Sequence, residues 1–246
     1  MAEFPSGKTL DGGLAMPIQC PSFEPGLPAY LRQTYWWAYL DPRAVRFFDQ
    51  QVIVNSILWG NFVRLKEAAL AEVDPLESAR MLQVACVYGD FTPSLASRMG
   101  AGSHLDVVDV APIQLRNLER KLESQDQVNL HLQDASKLGF ADESFDQVQV
   151  FFLLHELPDA VRRKAVREAL RVTRRGGKLV FVDYHRPTAW NPHRYFMPLV
   201  FKLLEPYALD MWELEIESWL PAELGFSGVE KTTYFGDLYQ KVVVTR

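Results

Sequence analysis

Between residues 81 and 183 the sequence alternates five short runs of β-forming residues with helical segments, and this alternation constrains the fold more than any other feature. The runs are 81–87, 104–110, 128–132, 145–151 and 178–183. Between them Leu115, Leu118 and Leu122 recur at helical spacing, and Val161, Ala165, Ala169 and Val172 repeat that stripe in a later segment. Strands alternating with one-sided helices predict an α/β fold with a parallel sheet covered by helices. The C-terminal part departs from the pattern. Residues 231–235 and 239–245 are strand-like and separated only by Gly236, Asp237 and Leu238, which reads as a hairpin, so an antiparallel strand is expected to close the sheet.

The composition changes on either side of this region. Residues 5–28 hold five prolines and four glycines among 24 positions, a density that opposes regular structure, and 1–29 is read as a flexible arm. Residues 30–75 are aromatic and helix-forming and read as an N-terminal lid. The remainder, 76–246, is the expected ligand-binding domain, carrying a second lid insertion at about 188–222. With 48% hydrophobic and 23% charged residues the chain can bury a large core. Its net charge of −5 opposes a general affinity for nucleic acid, which requires a basic surface. Cys20 and Cys86 provide neither a disulfide framework nor a thiolate metal cluster, which fits a reducing cytoplasm. The first residues lack the pattern of a secretory signal, and the apolar runs fall short of the roughly 20 residues that span a bilayer. Membrane contact is therefore expected only as peripheral, at the inner face of the cytoplasmic membrane. No feature singles out a protein partner.

In doubly wound sheets ligands bind beyond the carboxyl ends of the strands, where strand order reverses. The first strand runs into Val84, Ala85, Cys86, Val87, Tyr88 and Gly89, the place of a glycine-rich loop, yet Gly89 is its one glycine. Twenty residues later the second strand ends at Asp109 and Val110, where a carboxylate accepts hydrogen bonds from the ribose hydroxyls of a nucleotide-like cofactor. A dinucleotide brings its pyrophosphate close to the loop backbone, which the Cβ atoms of Ala85 and Val87 hinder. S-adenosylmethionine has no phosphate and tolerates a bulkier loop. Taken singly, Gly89 also reads as a plain tight turn and Asp109 as a helix cap ahead of Pro112. Residues 133–146, from Gln133 and Asp134 to Asp146, resemble the third and fourth motifs of class I S-adenosylmethionine-dependent methyltransferases. That resemblance, from about residue 80 onward, implies a Rossmann-like fold with S-adenosylmethionine as cofactor. It places Asp134 and Ala135 beside the adenine and Phe151 next to the methionine part.

The ends of the fourth and fifth strands should face the reacting end of the cofactor, and they carry His155 with Glu156 and Asp183 with Tyr184 and His185. An imidazole moves protons near neutral pH, and carboxylate with imidazole can hold a divalent ion such as manganese, which would polarise a substrate carbonyl. Asp183 and His185 are the expected metal ligands, His155 is the base or third ligand, and Tyr184 is a further catalytic candidate. A helix start at Glu156 and simple packing of Tyr184 explain the same residues structurally. His104, His131 and His193 are expected to be structural.

All six tryptophans lie outside the central alternation: Trp36, Trp37 and Trp59 before it, Trp190, Trp212 and Trp219 after it. With Met197, Leu199, Val200, Phe201, Leu203, Leu204 and Met211 they could form an apolar cover for a ring bearing a hydrocarbon tail, each buried methylene contributing about 0.8 kcal/mol. Packing of the lid on the core is the better account of any one of the aromatics taken singly. Arg162, Arg163, Lys164, Arg167, Arg171, Arg174 and Arg175 make one helix strongly basic, which reads as a solvated face or as a contact with an anionic membrane.

Residues 34–42, the loop 84–92, the segment 154–158 and the stretch 181–187 together resemble the RquA family of rhodoquinone biosynthesis proteins, over nearly the whole chain after the arm. This resemblance implies a methyltransferase-like enzyme that converts ubiquinone to rhodoquinone. A ring methoxy group is replaced by an amino group, with S-adenosylmethionine as amino donor and manganese as metal. A conventional methyltransferase acting on a quinone or other lipophilic molecule, and a protein that only binds cofactor or quinone, remain open from the residues alone.

Overall fold

The computed structural model describes residues 26–74, 77–122 and 126–246. Its strands are β1 (Arg80–Val84), β2 (His104–Asp109), β3 (Val128–Leu132), β4 (Phe145–Phe151), β5 (Thr173–Tyr184), β6 (Gly228–Tyr234) and β7 (Tyr239–Thr245), and they form one sheet in the order β3-β2-β1-β4-β5-β7-β6. The first five run parallel, while β7 pairs antiparallel with both β5 and β6. The α/β architecture with an antiparallel closing strand is the one expected from the alternation. Strand order reverses between β1 and β4, so the crevice beyond their carboxyl ends is where a ligand can enter.

Two strand ends differ from expectation for identifiable reasons. β1 stops at Val84 rather than residue 87, because Ala85 takes a left-handed backbone, φ 73°, that no strand can continue through. β5 begins at Thr173, five residues before the apolar run. It passes through a register shift opposite Phe145 and Gln147, with Gly176 left-handed at φ 74°.

Five helices precede the sheet: α1 (Ala29–Gln33), α2 (Trp36–Tyr39), α3 (Pro42–Phe48), α4 (Gln51–Ile57) and α5 (Phe62–Leu70). Asp41 caps α3 by accepting the N–H groups of Arg43 and Ala44, with Pro42 preset in the first turn. α5 buries Phe62, Leu65, Lys66, Ala69 and Leu70, one stripe of a 3.6-residue period. That stripe joins Leu82, Val148, Phe151, Leu179 and Val244 of the sheet in one apolar core. Gln83, Gln147, Gln149 and Gln240 are also buried, and the amides of Gln147 and Gln149 donate to the carbonyls of Glu72 and Ala69 at the end of α5. Of the arm expected at 1–29, residues 1–25 lie outside the described residues. Leu27 is buried with Leu31, Tyr35 and Ala111.

The parallel strands are connected by α6 (Phe91–Arg98), α7 (Pro112–Glu119) and α8 (Asp159–Val172), and the insertion after β5 carries α9 (His193–Leu204) and α10 (Asp210–Glu213). Most of the basic run is the solvated face that its sequence suggests, with Arg163, Lys164 and Arg167 of α8 and Arg174 and Arg175 of β5 exposed, and Arg162 is the exception. Arg162 is fully buried; its guanidinium donates to the carbonyls of Leu154, Leu157 and Tyr207, pairs with Asp210 at 3.0 Å and lies over the Trp219 ring. Arg163, Arg167, Arg171, Arg174 and Arg175 pair with Asp159, Glu223, Glu168, Asp146 and Glu143. Arg162 thus fastens the insertion to the segment that leaves β4. Replacing it by leucine strands three carbonyls and a carboxylate, and Arg162→Leu should lower the unfolding free energy by about 3 kcal/mol, read from the urea midpoint at constant slope.

Candidate functional site

A cavity of about 390 Å³ lies at the strand-order reversal, within the range of about 300 to 1,000 Å³ typical of small-molecule sites. Its floor comes from the loop after β1 (Ala85, Cys86, Val87, Tyr88), the end of β2 (Asp109, Val110), the turn after β3 (Gln133, Ala135) and Phe151 at the end of β4. Seven of the expected cofactor residues therefore converge: Ala85, Val87, Tyr88, Asp109, Val110, Ala135 and Phe151. Val84, Gly89 and Asp134 do not line it. Val84 is a core strand residue. Gly89 makes a structural turn at φ 79°: its N–H goes to Asp49, its carbonyl accepts from Lys121, and a Cβ there would meet Gln51 and Phe62 at 2.9 and 3.1 Å. Asp134 accepts the Ser136 N–H and edges a separate hollow with Lys137 and Lys164. Cys86, Gln133 and Gln114, which the spacing did not single out, line the cavity.

Asp109 is buried and anchors both sides of the crevice. One carboxylate oxygen accepts the Cys86 N–H and the other the Ala111 N–H, each at 2.8 Å. The cap residue of α7 is Ala111, so Asp109 is not that helix's cap. Burial pushes the carboxyl up to about 6 against the opposing pull of these backbone donors. Each oxygen keeps a lone pair, enough for a pair of ribose hydroxyls, so the residues fit the ribose of S-adenosylmethionine. Ala85 lies at the same crossing with its left-handed backbone, its carbonyl fixed by the Gln83 amide at 2.9 Å.

The N-terminal helices close over this floor through Tyr39 and Tyr88, whose rings stack at 5.6 Å and 6°. The Tyr88 hydroxyl donates to the Ala38 carbonyl, and the Gln114 amide donates to both the Tyr88 hydroxyl and the Tyr39 carbonyl. Trp37, Trp59, Met197, Val200, Phe201 and Leu204 complete the cover. Other members of the expected apolar cover do not face the cavity. Trp190, Leu199 and Leu203 point to solvent, and Trp212 packs on Phe201.

At the reacting end Asp183 is almost fully buried, and its two oxygens accept from the backbone N–H groups of Leu154, His155 and Tyr184 and from His155 Nδ1 at 2.9 Å. This holds His155 in the cavity wall with Nε2 3.8 Å from Glu156. Burial alone would lower the imidazole pKa. The charge and hydrogen bond of Asp183 outweigh it and push His155 up to about 9. This shift favours the protonated imidazole at neutral pH, whereas the sequence reading expected a base or metal ligand here. Glu156 accepts from the Tyr39 hydroxyl, and burial pushes its carboxyl up to about 8 although the His155 charge pulls it down. Glu205 lies in the same cavity and is raised by burial as well. Tyr184 lines the wall with its ring edge-on to His155 at 4.9 Å, and burial keeps its hydroxyl protonated.

Of the three expected metal ligands only Asp183 and His155 meet, and they meet each other rather than a shared site. His185 turns from the cavity toward the β6–β7 turn, its Nδ1 on the Asp237 carbonyl and its Nε2 3.4 Å from Glu215. Asp183 has its lone pairs taken by four N–H groups. Among the described residues no group of three or more His, Cys, Asp or Glu side chains could hold a metal ion. Asp183, His185 and His155 therefore do not fit manganese. Of the remaining histidines, His131 pairs with Asp106 at 2.7 Å and His193 packs against Trp59 and Phe235.

Two measurements follow from this geometry. Ala85→Gly removes a left-handed penalty of about 1 to 2 kcal/mol against an unfolded-state entropy cost of about 0.4 to 1, so denaturant unfolding should show a net gain of up to about 1.6 kcal/mol. His155 and Glu156 both bind protons more tightly folded than unfolded, so their contribution is complete below their unfolded values and is lost as pH rises through about 8 and about 9. The unfolding free energy should fall between pH about 4.5 and pH about 9, and His155→Gln should reduce the part of that fall above pH about 6.5.

The profile of the family described as "Methyltransferase domain" matches residues 81–177. Demethylmenaquinone methyltransferase of Bacillus licheniformis is 31% identical over 163 residues, covering 63% of this chain and 68% of that protein. The enzyme of the same name from Bacillus velezensis is 30% identical, covering 70% and 74%. Among solved structures, an S-adenosylmethionine-dependent methyltransferase from Aquifex aeolicus superposes with TM-score 0.54 at 18% identity, over 83% of this chain and 97% of that one. Phosphoethanolamine N-methyltransferase 2 of Haemonchus contortus, solved with S-adenosylmethionine, gives 0.65 at 16% identity, over 91% and 61%. Sheet order, the crevice with Asp109 and these likenesses agree, and the chain belongs to the class I S-adenosylmethionine-dependent methyltransferase family.

Proposed function

We propose that this chain is an S-adenosylmethionine-dependent transferase that modifies the ring of a lipophilic quinone, with methyl transfer as the reading that its relatives support. The observation that carries the proposal is one cavity that brings a ribose-binding carboxylate, Asp109, and the buried His155–Glu156 pair between apolar walls. By their name, the similar Bacillus enzymes methylate demethylmenaquinone. Asp109, Val110, Ala135, Phe151 and the loop from Ala85 to Tyr88 would hold the cofactor. When bound, it supplies an electrophilic methyl group and an amine to the same small space. His155, kept cationic by Asp183, would donate a hydrogen bond to a ring oxygen of a reduced, quinol acceptor and stabilise it as the anion, the electron-rich form that an electrophilic methyl requires. Phe152, Tyr184, Met197 and Phe201 exclude water around it.

A second reading is amino transfer, conversion of ubiquinone to rhodoquinone with loss of a methoxy group. One observation favours it: Ala85 holds a glycine-like backbone yet carries a Cβ in the cavity wall, which crowds the methionine part of the cofactor away from its usual seat.

Purified protein incubated with a quinone or quinol acceptor and S-adenosylmethionine carrying a carbon label on the methyl and a nitrogen label on the amine distinguishes these readings by product mass. Methyl label in the product is the expected result. Nitrogen label establishes amino transfer instead, and an unlabelled acceptor with ligand-dependent thermal stabilisation leaves a binding protein. Asp109→Ala should weaken S-adenosylmethionine binding about tenfold or more by calorimetry. His155→Gln should lower turnover about a hundredfold with cofactor affinity unchanged.

A further inference from the structure

We propose that the apolar face formed by α4, the turn at Trp59 and α9 docks on an anionic lipid bilayer, and that the cavity opens into that surface. Trp59 packs on His193 at 4.6 Å and on Phe196 at 5.5 Å, which makes α9 and the turn after α4 one continuous surface. Large apolar side chains project from it: Phe196 is 39% exposed, Leu199 64% and Leu203 71%. Isolated exposed leucines need no explanation, but a contiguous group of this size on a chain with a buried core marks a binding surface.

Two further observations assign the occupant. Ile57, Trp59 and Leu204 are each more than 40% exposed and also line the cavity, so the cavity reaches the surface through the middle of this face. The face also has the opposite charge balance from the whole chain. Residues 50–66 and 187–204 contain no Asp or Glu; of their cations Arg64 and Lys202 are exposed and Arg194 is half-buried, while Lys66 is buried against Asp90, and the chain as a whole carries a net charge of −5. Apolar projections rimmed by cations match an interfacial segment that sinks into the acyl boundary while its basic groups meet anionic headgroups. A protein partner would be matched less well by a rim of one sign around a hole that leads to a buried apolar chamber. No helix in the described residues is long and apolar enough to cross a membrane, so the contact is with the surface layer. Docking stands on the surface alone; that the docked cavity draws its acceptor from the lipid rests on the quinone reading.

The test is cosedimentation of the full chain with quinone-free vesicles of phosphatidylglycerol and phosphatidylcholine in equal parts, and with phosphatidylcholine alone. Wild type should partition to the anionic vesicles severalfold more strongly, and Leu199→Glu/Leu203→Glu should reduce that partition by about tenfold or more. Neither leucine lines the cavity, so the double variant should keep the wild-type melting temperature and wild-type turnover of a short-tailed, water-soluble quinone while losing turnover of a long-tailed quinone held in vesicles. Absence of wild-type partition, equal partition to both vesicle types, or full partition of the double variant overturns the docking proposal. So does a concentration-dependent dimer in light scattering that the double variant abolishes, which assigns the face to a second copy of the chain. If vesicle binding behaves as stated and no quinone of either tail length is turned over, the quinone reading falls and docking stands.

Discussion

The functional end of this protein depends on one buried carboxylate. Asp183 lies at the end of β5 with almost no access to water, and an ionised group there is tolerable only if its lone pairs are filled by donors. Three backbone N–H groups and the His155 imidazole fill them. The same bonds fix the chain as it leaves β4 and aim His155 into the cavity. They also leave Asp183 without capacity for a metal, so its positioning of the histidine and its refusal of a cation have one cause.

The surrounding electrostatics are those of a dry chamber. Glu156 and Glu205 are both raised by burial, and His155 stays charged because Asp183 offsets the desolvation. A protonated imidazole beside a carboxyl of raised affinity can hold a proton at an acceptor oxygen without drawing on solvent. The chamber stays closed because Tyr39 does two things at once, stacking on Tyr88 of the cofactor loop and donating to Glu156 at the reacting end. Beneath it Arg162, bound to the carbonyls of Leu154 and Leu157 and to Asp210, ties the α9–α10 insertion to the residues that flank His155. Opposite, the cover is apolar and opens through Trp59 and Leu204.

Much of the fold was legible because periodicity is a local property. The runs 128–132 and 145–151 became β3 and β4 at the same boundaries, and the stripe from Val161 to Val172 became the buried face of α8. Boundaries failed where a single backbone angle decided them, as at Ala85. Within the solvated basic run the buried Arg162 was not legible, because sequence carries the charge of a side chain and not its partners. Arg162 resembles its neighbours in every local respect and differs from them only in being surrounded by carbonyls from 154, 157 and 207. His185 was placed beside Asp183 on proximity in the chain, yet the β6–β7 turn captures it through the Asp237 carbonyl and Glu215.

By itself the sequence determined the alternating architecture, the closing hairpin and the place of the Asp109 carboxylate at the end of the second strand, since each follows from spacing along the chain or from the end of a predicted strand. Only the tertiary structure decided which polar groups face one another. The meeting of His155, Glu156, Tyr39 and Glu205, residues as much as 166 positions apart, and the coming together of α4 and α9 at the cavity mouth are set by long-range packing, of which no local window of residues carries a trace.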